Sequence, residues 1–229
     1  LYARAASMPG INATGVAVHI GSQLTDLGPF EEAFRCVADL VKQLRAEGHT
    51  ITKVDLGGGL GITYRDETPP DLSRYAALVK DIIAPLNAHV VVEPGRSVIG
   101  NAGVLLTRIV HEKQGEYKKF LIVDAGMNDL MRPALYDACH KIIPCNEPPA
   151  DGKKEPVDIV GPVCETTDTF LIDEEMPVAV KTGDVLAILS AGAYGASMSS
   201  TYNTRPLAPE ALVSDTQFDL IRKIQRMED

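Results

Sequence analysis

Hydrophobic positions in the first hundred residues follow two different spacings in alternation. Short apolar runs that are typical of buried strands lie at residues 15–20, 53–56 and 89–92. Apolar residues instead recur every three or four positions at 30–44 and 72–82, which predicts helices. A chain that alternates strand, helix, strand, helix and strand forms parallel strands joined by crossovers. The pattern therefore predicts a piece of a (β/α)8 barrel or of a doubly wound sheet.

Breaker and capping residues mark the ends of both predicted helices. Pro29 stands where the first helix would begin, and Gly48 stands just after its last turn. Asp71 can cap the second helix, which Pro85 ends or kinks. Polar or glycine-rich residues follow each strand, at the rim where both folds place their ligands.

The pattern changes after Gly103, where helical spacing becomes rare. Strands are predicted at residues 104–110, 119–124, 156–163 and 185–190. Helical spacing returns only from Ser214 to Met227, which predicts a final helix. We therefore expect α/β plus β architecture in two domains: a partial (β/α) barrel at residues 1–100, and a mostly β domain with a final helix at 101–229.

Composition and charge narrow the class of protein. The 229 residues are 45% hydrophobic and 23% charged, as in ordinary globular proteins. A net charge of −9 argues against nucleic acid or an anionic membrane as the main partner, because both require a basic surface. No apolar run is long enough to cross a bilayer, and no signal peptide is visible.

The cysteines indicate the redox environment. Cys36, Cys139, Cys145 and Cys164 form no C-x-x-C pair. Unpaired cysteines in an acidic chain without a signal peptide indicate a reducing cytoplasm. The last three cysteines and His140 carry zinc-ligating atoms, but their spacing matches no common zinc site, so we expect no metal.

Three motifs that could bind an anionic ligand follow the first three strands. His19 could stack on a planar ring, and Ser22 could donate to a phosphate. The glycines of L-G-G-G-L-G, at residues 56–61, would let backbone N–H groups converge on an anion. The E-P-G-R motif at 93–96 adds a carboxylate for a cationic ring nitrogen and a guanidinium for a carboxylate. Each motif also has a plainer interpretation: His19 as a core or surface histidine, the glycine run as a tight turn, and E-P-G-R as a turn fixed by a Glu–Arg ion pair.

Three further motifs lie in the predicted β domain. Arg132 and Tyr136 are four residues apart and would face the same way on a helical turn, where they could hold a carboxylate. Cys164 could donate a proton, and the adjacent Glu165 could pair with an amine. Tyr194 lies in a run of small residues that suits close packing around a ligand. Plainer interpretations are a surface position for Arg132 and Tyr136, a buried structural role for Cys164, and a plain turn at Tyr194.

The order of the motifs is more specific than any one of them. H-I-G-S-Q, G-G-G, E-P-G-R, M-R-P-A-L-Y, G-P-V-C-E-T-T-D and A-Y-G follow one another in an order that resembles the fold-type III pyridoxal-phosphate (PLP) decarboxylases. The resemblance runs from about Gly15 to Pro206. Within that family, M-R-P-A-L-Y-D-A and the Cys-Glu pair look like the diaminopimelate decarboxylases more than the ornithine decarboxylases.

The resemblance implies the last part of a PLP-binding (β/α)8 barrel followed by a mostly β domain. It implies that His19 stacks on the PLP ring, that Glu93 pairs with the ring nitrogen and that Cys164 returns a proton after loss of CO2; His19 and Cys164 are the implied catalytic residues. The implied cofactor-binding positions are His19, Ser22, Gly58, Glu93, Gly95, Arg96 and Tyr194. The implied substrate-binding positions are Arg96, Arg132, Tyr136, Glu165 and Tyr194.

The implied activity is decarboxylation of meso-2,6-diaminopimelate to L-lysine, a step of lysine biosynthesis. Diaminopimelate differs from lysine by one distal carboxylate, so a selective site needs a distal cation and a distal anion, which Arg132 and Glu165 would supply. A site that hydrogen-bonds such a polar group can reject an analogue without it by about 10⁴-fold. The alternatives are a related decarboxylase for carboxynorspermidine, arginine or ornithine, and a non-catalytic binding or dimerisation module.

Two further expectations follow from the resemblance. The family's cofactor-holding lysine lies in a Tyr-x-x-Lys-type context, and no lysine here has that context, so the chain alone is expected to be inactive. The family's Cys-Glu loop reaches the active site of the other subunit. We therefore expect a homodimer with shared active sites and a small amino-acid substrate.

Overall fold

The computed structural model describes residues 1–147 and 152–226. The chain divides into two compact units, Leu1–Val98 and Ile99–Asp229. Within the described residues, no helix combines the length and the apolarity that crossing a membrane would require. All four cysteines are free thiols.

The first unit alternates helices and strands as predicted. Its elements, with the helix α4 that leads out of it, are α1 (Tyr2–Ala6), β1 (Gly15–Ala17), α2 (Gly28–Ala46), β2 (Lys53–Asp55), α3 (Leu72–Leu78), a π-helical turn (Val79–Ile83), a 3-10 turn (Ala84–Leu86), β3 (His89–Val91) and α4 (Gly95–Ile99). The three strands form a sheet in the order β1-β2-β3, and both pairs are parallel. The crossovers that the alternating pattern predicted are therefore confirmed.

Local sequence signals explain where these helices begin and end. Pro29 occupies the first turn of α2, where a missing N–H costs nothing, and Gly48 follows its C-cap at a φ of +91°. The Asp71 side chain caps α3 by accepting a hydrogen bond from the Ser73 N–H at 2.8 Å. Both expected helix starts and the end of α2 are confirmed. The second predicted helix is α-helical only to Leu78, and a π-helical turn and a 3-10 turn that contains Pro85 continue it to Leu86.

The core of the first unit lies between the helices and the sheet. Phe30 and Phe34 of α2 are at most 1% exposed and meet the Tyr75 ring edge-on, with ring centroids 5.4 and 5.7 Å away. Val54, in the central strand, is fully buried. These residues of α2 and β2 belong to one buried apolar cluster, whose burial stabilises the sheet from which the strand-end loops extend.

The second unit is mostly β. After a 3-10 turn (Gly100–Ala102), its elements are β4 (Leu105–Gln114), β5 (Lys119–Val123), α5 (Arg132–Tyr136), β6 (Ile142–Pro144), β7 (Lys154–Val160), β8 (Thr169–Pro177), β9 (Val185–Ile188), 3-10 turns at Ala196–Met198 and Tyr202–Thr204, β10 (Glu210–Ser214) and β11 (Gln217–Arg222). Six strands form one sheet in the order β6-β9-β4-β5-β7-β8. Only β5 and β7 pair in parallel among the described strands of this sheet. Its apolar core includes Ile109, Leu121, Ile159, Leu186 and Ile188.

The final helix predicted from Ser214 to Met227 is wrong. This region contributes to an antiparallel hairpin of β10 and β11, in which Val213 pairs with Phe218. Asp215, at a φ of +52°, turns the chain between the strands. Phe218 is 73% exposed, so the helix-like spacing does not mark a buried stripe. Residue 227 lies outside the described residues.

Candidate functional site

The loops after the three parallel strands pair with one another. Beyond the strands themselves, the Leu56 N–H donates to the Val91 carbonyl at 3.0 Å, and the Glu93 N–H donates to the Gly57 carbonyl at 2.8 Å. A side chain on Gly58 would put its Cβ 2.3 Å from the Glu93 carbonyl oxygen, so only glycine permits this approach. The parallel sheet thus places the glycine loop directly against the E-P-G-R loop.

His19 lies against the same glycine loop. Its Nδ1 accepts a hydrogen bond from the Gly58 N–H at 3.3 Å, which leaves the proton of the neutral ring on Nε2. The imidazole is exposed, so its faces are available for stacking. The structure therefore groups His19, Gly58 and Glu93, while the Gly58 N–H is engaged by the histidine.

Glu93 and Gly95 present open polar surface beside this group. The Glu93 side chain is exposed, and its carboxylate has no hydrogen bond or ion pair within the described part of the chain. A Cβ on Gly95 would meet no atom within 4 Å. A carboxylate and an accessible stretch of backbone thus lie at the end of β3.

Arg96 joins the first and third strand-end loops. Its Nη2 donates to the Ser22 hydroxyl at 2.9 Å, and its Nη1 donates to the Tyr64 hydroxyl. The guanidinium carbon also lies 5.6 Å from the centre of the Tyr64 ring, within range of a cation–π contact. Tyr64 is only 5% exposed, so a buried side chain holds the Arg96 guanidinium in place. Tyr64 was not among the predicted site residues, and its only signal in the sequence is its place just after the glycine loop.

In the second unit, Arg132 and Tyr136 lie on one helical turn, α5, as predicted. Their environments differ, because Arg132 is 7% exposed and Tyr136 is 61% exposed. Arg132 Nη1 lies 2.7 Å from Nε2 of His140, and Nδ1 of His140 lies 2.8 Å from the Leu189 carbonyl. A carbonyl only accepts and a guanidinium only donates, so His140 is neutral with its proton on Nδ1.

His140 is therefore a residue whose role the sequence did not reveal. It is 1% exposed and holds the Arg132 guanidinium in one orientation. In the sequence, His140 was considered only as a possible zinc ligand. Among the described residues, no three His, Cys, Asp or Glu side chains are grouped so that they could hold a metal ion.

Cys164 and Glu165 are exposed on a short loop between β7 and β8. The loop is closed by a bond from the Gly161 N–H to the Asp168 carbonyl at 2.9 Å. Inside it, the Glu165 N–H donates to the Val163 carbonyl at 2.8 Å. The thiol and the carboxylate therefore project from an ordered turn, and Cys164 is not the buried structural cysteine of the plainer interpretation.

Tyr194 has a strained backbone. Its φ is +60°, in the left-handed region that residues with a side chain rarely adopt. Such residues are concentrated at functional sites, where surrounding structure holds them in place. The next residue, Gly195, packs closely against Ala191, since a Cβ on Gly195 would lie 2.3 Å from the Ala191 carbonyl oxygen. Tyr194, which is 42% exposed, thus lies in a closely packed turn.

The chain matches a family model described as "pyridoxal-dependent decarboxylase, C-terminal sheet domain" over residues 19–192. Two curated relatives are the diaminopimelate decarboxylases of Zymomonas mobilis, which is 46% identical over 230 residues, and of Neisseria meningitidis serogroup A, which is 48% identical over 227. The alignments cover 100% and 99% of this chain but only 54% and 55% of the relatives. The chain therefore spans about half the length of the curated relatives it matches.

Solved structures show the same similarity. A diaminopimelate decarboxylase from Helicobacter pylori, complexed with L-lysine, matches with a TM-score of 0.92 and 40% identity over 99% of this chain and 56% of that one. A lysine decarboxylase from Selenomonas ruminantium matches with a TM-score of 0.77 and 25% identity over 87% of this chain and 52% of that one. These similarities confirm the predicted fold class, the last part of a barrel followed by a mostly β domain. The chain belongs to the family of pyridoxal-dependent decarboxylases.

Proposed function

We propose that the full-length protein decarboxylates meso-diaminopimelate to L-lysine and CO2 with the help of PLP. The observation that carries this proposal is the buried Arg132, oriented by His140, in a chain whose curated relatives at 46% and 48% identity are diaminopimelate decarboxylases. An arginine fixed in this way suits a substrate with an extra carboxylate. Decarboxylases for ornithine would have no such group to bind.

The residues of the first unit fit PLP. The exposed His19 ring can stack on a pyridine ring, and the exposed Glu93 carboxylate can pair with a protonated ring nitrogen. The open backbone at Gly95 and the Ser22 hydroxyl, held by Arg96, can receive a phosphate, and the turn at Gly58 shapes the loop beside them. Bound PLP supplies an electron sink for the pair that departing CO2 leaves behind.

The residues of the second unit fit the distal end of the substrate. We assign the distal carboxylate to Arg132 and Tyr136, and the distal ammonium to Glu165. Charge-assisted hydrogen bonds of this kind are about twice as strong as neutral ones. Arg96 and Tyr194 complete the substrate-binding set, and the strained turn at Tyr194 supports a role for its ring.

Cys164 is the proton donor in this proposal. Loss of CO2 breaks a C–C bond and leaves an electron pair on the α-carbon. The Cys164 thiol gives its proton to that carbon, and the thiolate regains a proton from water. Its exposure on the loop between β7 and β8 supports this role.

The proposed protein is a homodimer that works in the cytoplasm. A homodimer in which the Cys164–Glu165 loop serves the partner's active site accords with the exposure of that loop. Four free thiols accord with a reducing cytoplasm.

A substrate panel tests the proposed activity. The full-length protein, saturated with PLP, is expected to release CO2 and L-lysine from meso-diaminopimelate, with kcat/KM at least about 10³-fold above that for lysine, ornithine or arginine, because those substrates leave Arg132 without its carboxylate. Released CO2 and amino-acid products are measured for each substrate. A protein that prefers ornithine, arginine or carboxynorspermidine would refute the assignment, and protein freed of PLP serves as the control.

A further inference from the structure

A buried carboxylate lies at the base of the loop that carries Cys164 and Glu165. Asp168 is 4% exposed. Its Oδ2 accepts from the Val163 N–H, and its Oδ1 accepts from the Met127 N–H, both at 2.6 Å. Val163 immediately precedes the cysteine, whereas Met127 lies 41 positions away in the segment after β5. One side chain therefore ties the Cys164–Glu165 loop to a separate part of the second unit.

The loop is shaped to the Asp168 carboxylate. A Cβ on Gly161 would lie 2.3 and 2.4 Å from the two carboxylate oxygens, so the glycine leaves the space that the carboxylate occupies. The backbone of Asp168 takes part as well, because its N–H donates to the Glu165 carbonyl at 3.1 Å. Displacing the carboxylate would therefore disturb both ends of the loop.

The segment on the other side of the carboxylate is itself fixed. Asn128, next to Met127, is fully buried, and its Oδ1 accepts from Arg205 Nε at 2.9 Å. Asp129 Oδ2 accepts from the Gly126 N–H at 2.9 Å. Asp168 thus links the Cys164–Glu165 loop to a segment that is itself held by hydrogen bonds.

The two hydrogen bonds of the Asp168 side chain require a carboxylate rather than an amide. Both partners are N–H donors, so both side-chain oxygens must accept, and an amide would turn an NH2 group towards one of them. Burial raises the pKa of Asp168, while the two backbone bonds and the charge of Arg205 oppose that rise. A buried acid is costly to ionise, and one oxygen of Asp168 holds the Cys164–Glu165 loop while the other holds the segment at Met127, which suggests a role beyond packing.

We propose that Asp168 is a positioning residue, which fixes the Cys164–Glu165 loop so that the thiol and the carboxylate meet the substrate in one geometry. The inference rests on the proposed function, because it assigns to that loop the proton donor and the ammonium-binding carboxylate. Misplacement of a reacting group by about 1 Å can cost about 100-fold in rate.

The test compares Asp168→Asn with Asp173→Asn in the full-length protein. Asp173 lies on β8, its side chain is 71% exposed, and it serves as the matched control. Asp168→Asn is expected to lower kcat, through Cys164, and to raise KM, through Glu165, with a combined loss of about 10- to 100-fold in kcat/KM per PLP-loaded site. Asp173→Asn is expected to leave both constants unchanged.

A second readout does not depend on activity. In protein freed of PLP, amide hydrogen exchange in peptides that cover residues 161–168 is expected to accelerate about tenfold in Asp168→Asn, because one of the two N–H donors loses its acceptor and the loop loses its tie to the Met127 segment. Peptides from β4 and β5 are expected to be unchanged. A residue that only stabilises the fold would lower the amount of active protein and leave kcat and KM per active site as in the wild type.

Gly161→Ala keeps the inference testable if Asp168→Asn does not fold. The new methyl group would displace the carboxylate, so it is expected to give the same changes in kcat, KM and loop exchange. Either folded variant with kinetic constants and loop exchange within threefold of the wild type would overturn the inference. Wild-type protein inactive on diaminopimelate would refute the proposed function instead, and the exchange data would still show whether Asp168 holds the loop.

Discussion

Replacing Arg132 with Ala in the full-length protein is expected to lower kcat/KM for meso-diaminopimelate by about 10⁴-fold. The distal carboxylate would lose the guanidinium that binds it, and a site built around such a bond discriminates by about that factor. Arg132→Lys is expected to give a smaller loss, because it keeps the charge but not the planar fork that His140 orients. Steady-state kinetics with diaminopimelate measure both effects.

The matched control for this change is Arg108→Ala. Arg108 is exposed on β4 in the same unit and donates to the Gly183 carbonyl at 2.6 Å, so its loss is expected to leave kcat/KM unchanged. Melting temperatures separate loss of binding from loss of fold. If Arg132→Ala keeps kcat/KM within threefold of the wild type, Arg132 does not bind the distal carboxylate.

Replacing Cys164 with Ala is expected to lower kcat by about 10²- to 10⁴-fold, the range of a lost general acid. KM is expected to change by only a few fold, since the thiol acts after CO2 has left and does not hold the substrate. Rates of lysine formation at saturating and limiting diaminopimelate measure the two constants separately.

Cys36→Ala and Cys145→Ala are the controls for the thiol. Both cysteines are exposed, as Cys164 is, and neither lies in the proposed site, so their kinetic constants are expected to match the wild type. A Cys164→Ala protein with unchanged kcat would show that another group delivers the proton.

The parts of the fold that the sequence predicted are those set by local signals. Pro29, Gly48 and Asp71 act within one helical turn, so their meaning can be read without knowledge of the tertiary structure. The parallel pairing of the first three strands followed from their alternation with helices. Because the carboxyl ends of parallel strands share one edge of a sheet, the motifs at His19, Gly58 and Glu93 were expected to be neighbours.

The strands that were missed lie mainly at the edges of the second sheet. β6 and β8 are its two outermost strands; β6 has only three residues, too few to show a pattern, and β8 does not follow a simple apolar pattern. β8 carries the charged run Asp173-Glu174-Glu175, and Asp173 has a φ of +53° that interrupts its regular geometry. Edge strands tolerate charge because one side faces solvent. The hairpin of β10 and β11 was missed because its apolar residues coincide with helical spacing.

The supporting residues of the candidate site could not be found from the sequence, because each acts through a tertiary contact. Tyr64 reaches Arg96 across 32 positions, and Asp168 reaches Met127 across 41. His140 holds Arg132 only because α5 ends and the chain turns back. Such contacts depend on how loops pack rather than on any local pattern.

The most direct test is a crystal structure of the full-length protein with PLP and L-lysine bound. We expect the Glu93 carboxylate to lie within hydrogen-bonding distance of the pyridine nitrogen, the His19 ring to stack on the cofactor, and Glu165 to contact the distal ammonium of lysine. A structure in which PLP binds elsewhere, or in which Glu93 and His19 do not touch it, would contradict the account.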